Sequence, residues 1–129
     1  MSTRRFVSTE QAPEAIGPYH QAVVGGGLVH CSGQIALDPA TGELIAGGVS
    51  AQAEQVLINL RAVLEAAGSG MDRVPKCQVF LRDMNDFQAV NAVYARAFEG
   101  CEPPARACVA VSGLPKDVDV EIDCVALCD

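Results

Sequence analysis

The chain lacks any run of about 20 apolar residues: its longest uncharged stretches are interrupted by Gly, His, Ser and Gln, which excludes a membrane-spanning helix. Charge is scarce, at 19% of 129 residues, while half the residues are hydrophobic. Intrinsic disorder needs the opposite balance. Close metal-ligand pairs are missing too. Six cysteines are present, none spaced as CxxC, and only His20 and His30 could add imidazoles, so no zinc site is expected. The segment Met1–Ser8 carries Arg4 and Arg5 but no apolar stretch behind them, and it is not expected to be a secretory leader. Cationic surface is in deficit, with a net charge of −7, so nucleic acid is not an expected partner. A chain this long reads as one domain, 1–129, able to fold without disulfide or metal staples.

What is present is an ordered series of short apolar runs. Arg4–Ser8, Gln21–Val24 and Leu28–Cys31 read as strands, the last two joined as a hairpin through Gly25, Gly26 and Gly27. Gln34–Leu37 continues or follows the third. After a loop at Asp38–Gly42, Ala53, Val56, Leu57, Leu60, Val63, Leu64 and Ala67 recur at helical spacing, with Ser50 expected as N-cap and Gly68 as the residue past the end. Cys77–Leu81 alternates as a strand. Asp86–Glu99 reads as a second helix whose apolar face is Phe87, Val90, Tyr94, Ala97 and Phe98. Arg106–Ser112 and Val118–Leu127 are the last strands, expected to pair as a hairpin.

The order is β-β-β-α-β-α-β-β, an α+β fold with a six-stranded sheet and two helices on one face. Val109 and Val111 alternate with Cys108 and Ala110, and Val125 and Leu127 lie opposite Val118, Val120, Ile122 and Cys124. Strands apolar on both faces are usually covered on both. With no element left in the chain for the second face, a homo-oligomer packed sheet to sheet is expected.

Several side chains stand out by chemistry. Arg106 opens an apolar strand directly after Pro103-Pro104-Ala105. Its planar fork suits a carboxylate. That carboxylate is either a ligand's or that of Glu121 across the expected hairpin, and the sequence holds the two readings level. Glu121 alternates with Asp119 and Asp123, a pattern that by itself describes a solvated strand face. Tyr19 after Gly17-Pro18 reads as a packed or turn-capping aromatic, Ser32-Gly33-Gln34 as a bulge or strand end, and Asn91 as helix surface. His20 and His30 read as ordinary polar positions. Cys31, Cys77, Cys108 and Cys124 sit in apolar runs and are expected to be buried free thiols in a reducing cytoplasm; Cys101, beside the proline pair, is expected to be more exposed. The redox states of Cys101 and Cys128 stay open.

Taken together, Ala15-Ile16-Gly17-Pro18-Tyr19, Ser32-Gly33-Gln34, Asn59-Leu60 with Leu64-Glu65-Ala66-Ala67-Gly68, Asp83-Met84-Asn85-Asp86-Phe87 with Val90-Asn91 and Tyr94, Pro104-Ala105-Arg106-Ala107-Cys108, Leu114-Pro115-Lys116 and Glu121-Ile122 resemble the RidA (YjgF) family from about Thr9 to Ala126. The resemblance implies a chorismate-mutase-like fold assembled as a homotrimer with clefts between subunits. It also implies a 2-iminobutanoate/2-iminopropanoate deaminase, which hydrolyses reactive 2-imino acids and enamine tautomers such as 2-aminoacrylate to 2-keto acids and ammonia, with no cofactor and no metal. By the same resemblance Arg106 binds the substrate carboxylate, Glu121 works on the attacking water, and Tyr19, Ser32, Gly33, Asn91 and Cys108 line the cleft. His20 and Ala107 depart from it, each standing where many members have Ser. The other reading is a non-enzymatic module that holds a 2-keto acid or similar carboxylate. A ribonuclease sits badly with the net charge.

Overall fold

A computed structural model describes residues 3–129; Met1 and Ser2, at the head of the segment read as lacking a leader, lie outside the described residues. The chain runs β1 (Arg5–Val7), β2 (Ala22–Gly25), β3 (Leu28–Gln34), α1 (Gly48–Ala66), β4 (Lys76–Leu81), α2 (Phe87–Ala97), β5 (Ala105–Ala110) and β6 (Val120–Leu127). The six strands form one sheet in the order β1-β2-β3-β6-β4-β5. All neighbours are antiparallel except β4 and β5, which α2 connects as a parallel crossover.

Local chemistry explains most of these elements. Gly26 and Gly27 form the two-residue turn between β2 and β3 at φ of 61° and 78°, a conformation in which glycine carries no Cβ penalty. The α1 stripe from Ala53 to Leu64 is buried as the spacing implies. Gly68, at φ 88°, ends the helix with its N–H on the Glu65 carbonyl while the Ser69 N–H reaches the Leu64 carbonyl. Both helices cover the sheet face that carries Val29, Cys31, Cys77, Val79, Val120, Ile122, Cys124 and Ala126, all at most 8% exposed. The other face presents Phe6, Val109 and Leu127 nearly half exposed, with Phe80 and Val125 partly so.

Three expectations are corrected. The helix does not start from Ser50. It begins at Gly48 with Gly47 as the capping residue, three residues before the expected cap, and among the described residues no side chain caps it; Gly47 and Gly48 turn the chain into the helix at φ of 120° and 84°. Of Gln34–Leu37, Gln34 does continue the third strand, but β3 stops there, and Leu37 makes only a single bridge to Leu44 around the Asp38–Gly42 turn. The last two strands do not pair. β6 lies between β3 and β4, and β5 is the sheet's edge beyond β4.

Two buried polar residues of α1 tie the sheet's loops down. The Asn59 amide, fully buried, donates to the carbonyls of Ile35 at 3.2 Å and Leu37 at 3.0 Å, and its oxygen accepts from Gln55. Gln52 grips both the backbone N–H and the carboxylate of Asp119, just before β6. Replacing Asn59 with Leu keeps the branched outline, at a larger volume, but strands two buried carbonyls. The expected loss is about 1–3 kcal/mol for each carbonyl left dry, read from the urea midpoint at constant slope. An unchanged midpoint would mean that water reaches both.

Candidate functional site

Arg106 pairs in register with the fully buried Cys77 of β4, so its side chain projects from the edge strand toward the helix layer. There α2 meets it with three residues on one stripe, Phe87, Asn91 and Tyr94, spaced four and three apart. The guanidinium Nη1 donates to Asn91 Oδ1 at 2.7 Å. Its carbon sits 4.9 Å from the centre of the Tyr94 ring and 5.5 Å from that of Phe87. Beside it lies a cleft of about 450 Å³ lined by Asn91, Tyr94, Phe98, Pro103, Pro104 and Arg106. Cys108, two residues along β5, projects to the same side. Burial pushes its thiol up from the ordinary value, against the pull of the Arg106 charge, which keeps it protonated and weakly nucleophilic.

Glu121 points the other way. Its neighbours on β6, Val120 and Ile122, face the helices, so Glu121 projects from the open face, half-buried. The side chain lies against Gly33. β3 carries one extra residue here, Ser32 and Gly33 together facing Asp123 across the β3–β6 ladder. A Cβ on Gly33 would stand 2.5 Å from Glu121 Oε2 and 2.9 Å from its Cδ. The glycine is therefore required for space rather than for its backbone angle. Ser32 turns its hydroxyl to the His20 carbonyl at 2.6 Å, and His20 stacks on Phe6 with ring centres 4.4 Å apart. Tyr19, 46% exposed, accepts the Ile16 N–H and borders a larger cleft of about 780 Å³ with Glu10, Glu14 and His20. Burial and the neighbouring Asp123 charge both push the Glu121 carboxyl up. Burial does the same to Asp123.

The seven residues singled out by sequence thus fall into two groups. Arg106, Asn91 and Cys108 lie on the helix side of the edge strand. Glu121, Gly33 and Ser32 lie together on the open side, with Tyr19 joined to them through His20. The sheet separates the groups, and β4 stands between the strands of Arg106 and Glu121. The reading of Arg106 as an internal ion pair with Glu121 is therefore overturned. Among the described residues the ion pairs are Arg73–Asp129 and those of Arg82 with Asp117 and Asp119, and none involves Arg106. Sequence reasoning did not connect Arg106 with Phe87 and Tyr94. The signal was available: Asn91 is the polar member of an otherwise aromatic stripe at helical spacing. Among the described residues no group of three or more His, Cys, Asp or Glu side chains is placed to hold a metal ion.

Comparison with known proteins gives a consistent set. Residues 9–128 match the family model described as Endoribonuclease L-PSP. The chain is 54% identical over 126 residues to a RutC family protein of Synechocystis, covering 97% of each. It is 46% identical over 124 residues to the human 2-iminobutanoate/2-iminopropanoate deaminase, covering 96% of this chain and 90% of that one. The crystal structure of E. coli TdcF with bound serine superposes with a TM-score of 0.93 at 42% identity, covering 97% of this chain and 99% of that one.

The raised Glu121 carboxyl has a consequence for stability. A group whose folded value lies above its unfolded one favours folding while protonated, at pH below the ordinary carboxylate value of 4.5, and that contribution disappears as pH rises through the folded value. Glu121→Gln removes the cost of the buried charge. Its melting temperature should exceed the parent's at pH 7, and the gain should shrink toward zero by about pH 3, below the ordinary carboxylate range. A gain that stays constant across that range would point to packing rather than charge.

Proposed function

Because the chain belongs to the endoribonuclease L-PSP family, the YjgF/RidA proteins, we propose that it is an imine deaminase, a single domain over 1–129 that hydrolyses 2-imino acids to 2-keto acids and ammonia. The observation that carries this reading is the state of Arg106: a guanidinium fixed by Asn91, with no carboxylate of its own, at the mouth of a cleft. Such a fork grips a substrate carboxylate bidentately and so fixes the adjacent carbon. The human relative named as a 2-iminobutanoate/2-iminopropanoate deaminase supports the substrate class.

In this reading the substrate is bound as the iminium. Water adds to its carbon, the C–O bond forming as the C=N π pair moves onto nitrogen. Glu121 takes the proton from the water and returns one to the nitrogen of the carbinolamine. The C–N bond then breaks, ammonia leaves, and the hydroxyl proton is given up to form the ketone. An iminium carbon is electrophilic already, so no covalent nucleophile is needed, and Cys108 contributes backbone and shape. Since Arg106 and Glu121 lie on opposite faces of one sheet, the cleft joins Arg106, Asn91 and Cys108 of one copy to Glu121, Gly33, Ser32 and Tyr19 of the next. Three copies closing head to tail would also cover the half-exposed Phe6, Val109 and Leu127.

A second reading is favoured by one observation, the serine bound in E. coli TdcF. On that reading the cleft holds a small carboxylate and reports on it without turnover. Arg106 would serve both readings, whereas Glu121 is needed only for the first.

Two measurements test the proposal. Sedimentation equilibrium at micromolar concentration should give a trimer; a stable monomer would leave the two half-sites apart and remove the mechanism. In the second, a pyridoxal-phosphate dehydratase acts on serine or threonine while keto-acid release is timed with each variant. Arg106→Ala should lose about 10²-fold or more, the scale of a misplaced substrate. Arg106→Lys keeps the charge without the planar fork and should lose most of the activity too. Cys108→Ala should retain most of it. Arg106→Ala that melts far lower yet still accelerates keto-acid release below its melting point would sink the assignment.

A further inference from the structure

We infer that Phe87 and Tyr94, together with Asn91, form a clamp on α2 that fixes the orientation of the Arg106 guanidinium, which makes the two aromatic residues positioning residues for carboxylate capture. The inference rests on the deaminase reading for its consequence, but the clamp itself is a property of this fold.

An arginine on an edge strand has four side-chain torsions and, in the absence of an ion pair, little to hold them. Here three separate contacts converge on one planar group. The Tyr94 and Phe87 rings lie within 6 Å of the guanidinium carbon, the range over which a ring's quadrupole attracts a cation. The Asn91 oxygen, at 2.7 Å, fixes rotation within the plane by holding Nη1. With Nη1 engaged by Asn91, Nη2 and Nε remain as a parallel pair of donors, the edge a carboxylate takes bidentately.

The Tyr94 ring is itself braced. It is 5% exposed and packs at a tilt on Phe98, with ring centres 4.9 Å apart. Its hydroxyl is buried without a close hydrogen bond among the described residues, the Cys77 thiol being the polar group beside it. A buried hydroxyl with no partner costs stability. What this position supplies to Arg106 is therefore the ring and not the O–H. Phe87 makes the same kind of contact with no polar atom at all. The two positions are seven residues apart, two turns of one helix, with Asn91 between them on the same stripe.

The test uses the full chain and three variants, Phe87→Leu, Tyr94→Leu and Tyr94→Phe. Arginine side-chain ¹H–¹⁵N spectra report the clamp directly. In the parent the Arg106 Nε–H should be displaced by the ring currents, and its Nη groups should be resolved because Asn91 slows their rotation. Each Leu variant should lose the part of the ring-current displacement that its missing ring supplies, and Tyr94→Phe should keep it. Calorimetric titration with pyruvate reports the consequence: each Leu variant should bind about 3–10-fold more weakly, with Tyr94→Phe recovering most of the loss, and KM for imine hydrolysis should rise in parallel. Phe87 is only partly buried, so Phe87→Leu keeps the test open if Tyr94→Leu does not fold. The inference is overturned if the Arg106 signature survives in the Leu variants, or if they melt lower while pyruvate binding is unchanged, since the rings would then serve packing alone. Should the parent neither bind pyruvate nor hydrolyse imines, the deaminase reading fails, and the clamp stands or falls on the arginine spectrum.

Discussion

Strand β6 is hydrogen-bonded along both edges, to β3 on one side and β4 on the other, and this central placement governs the rest of the molecule. Val120, Ile122, Cys124 and Ala126 are at most 3% exposed beneath the helices. They join the β1–β2–β3 meander to the β4–β5 pair through one continuous apolar row. With the centre of the sheet filled from the C-terminus, β5 can only add at the outside of β4, and it does so in parallel. A parallel neighbour needs a crossover, and α2 is that crossover. The helix must therefore lie over the β4–β5 edge, which brings Phe87, Asn91 and Tyr94 onto Arg106. The surroundings of the arginine follow from where the last strand is inserted.

Local rules made much of this fold readable beforehand. The α1 stripe, the glycine turn before β3, the Gly68 helix end and the alternation of β6 each depend on residues within a few positions of one another. The β3 bulge at Ser32-Gly33 was legible as well, because a Ser-Gly pair interrupting an apolar run has few other uses. Pairing between strands was not. Consecutive strands are often neighbours, which favoured a β5–β6 hairpin. The chain between them instead passes through Lys116 and Asp117 at φ of 53° and 58°, a left-handed kink of two non-glycine residues that nothing in Leu114-Pro115-Lys116 announces. Polar residues inside the apolar stripes were the other blind spot. Asn59 and Gln52 are buried because distant backbone groups meet them, at Ile35, Leu37 and Asp119, and partners that far away in sequence leave no local trace.

The candidate site divides along the same line. Residue type and position singled out Arg106 and Glu121, and the motifs added Tyr19, Ser32, Gly33, Asn91 and Cys108. Grouping them needed the strand order. Once β6 separates β3 from β4, alternation along β5 and β6 decides which side each residue faces. Arg106 shares a side with the buried Cys77, and Glu121 has the opposite side from Ile122. Gly33 then acquires a reason that its place in the sequence did not supply: it makes room for a carboxylate.

Keeping Arg106 and Glu121 on opposite faces has a chemical consequence. The hairpin first expected would have left an ion pair between the two as one of two level readings of Arg106. Removing one partner of such a pair, when buried, costs about 3–5 kcal/mol. A hydrogen bond to a charged group contributes about 1.5–3 kcal/mol net, so an incoming carboxylate would not readily displace Glu121 from Arg106. Within one chain the sheet keeps the two charges apart. The arginine is oriented instead by groups that leave its charge intact, a neutral amide oxygen and two aromatic faces. The glutamate is left half-buried beside Asp123, where its proton affinity rises rather than falls. Within one chain the separation thus leaves the arginine's charge unpaired and the glutamate's proton affinity raised by burial and Asp123. On the deaminase proposal, the same separation divides the site into two halves, which a second copy placed against the β5 edge would join.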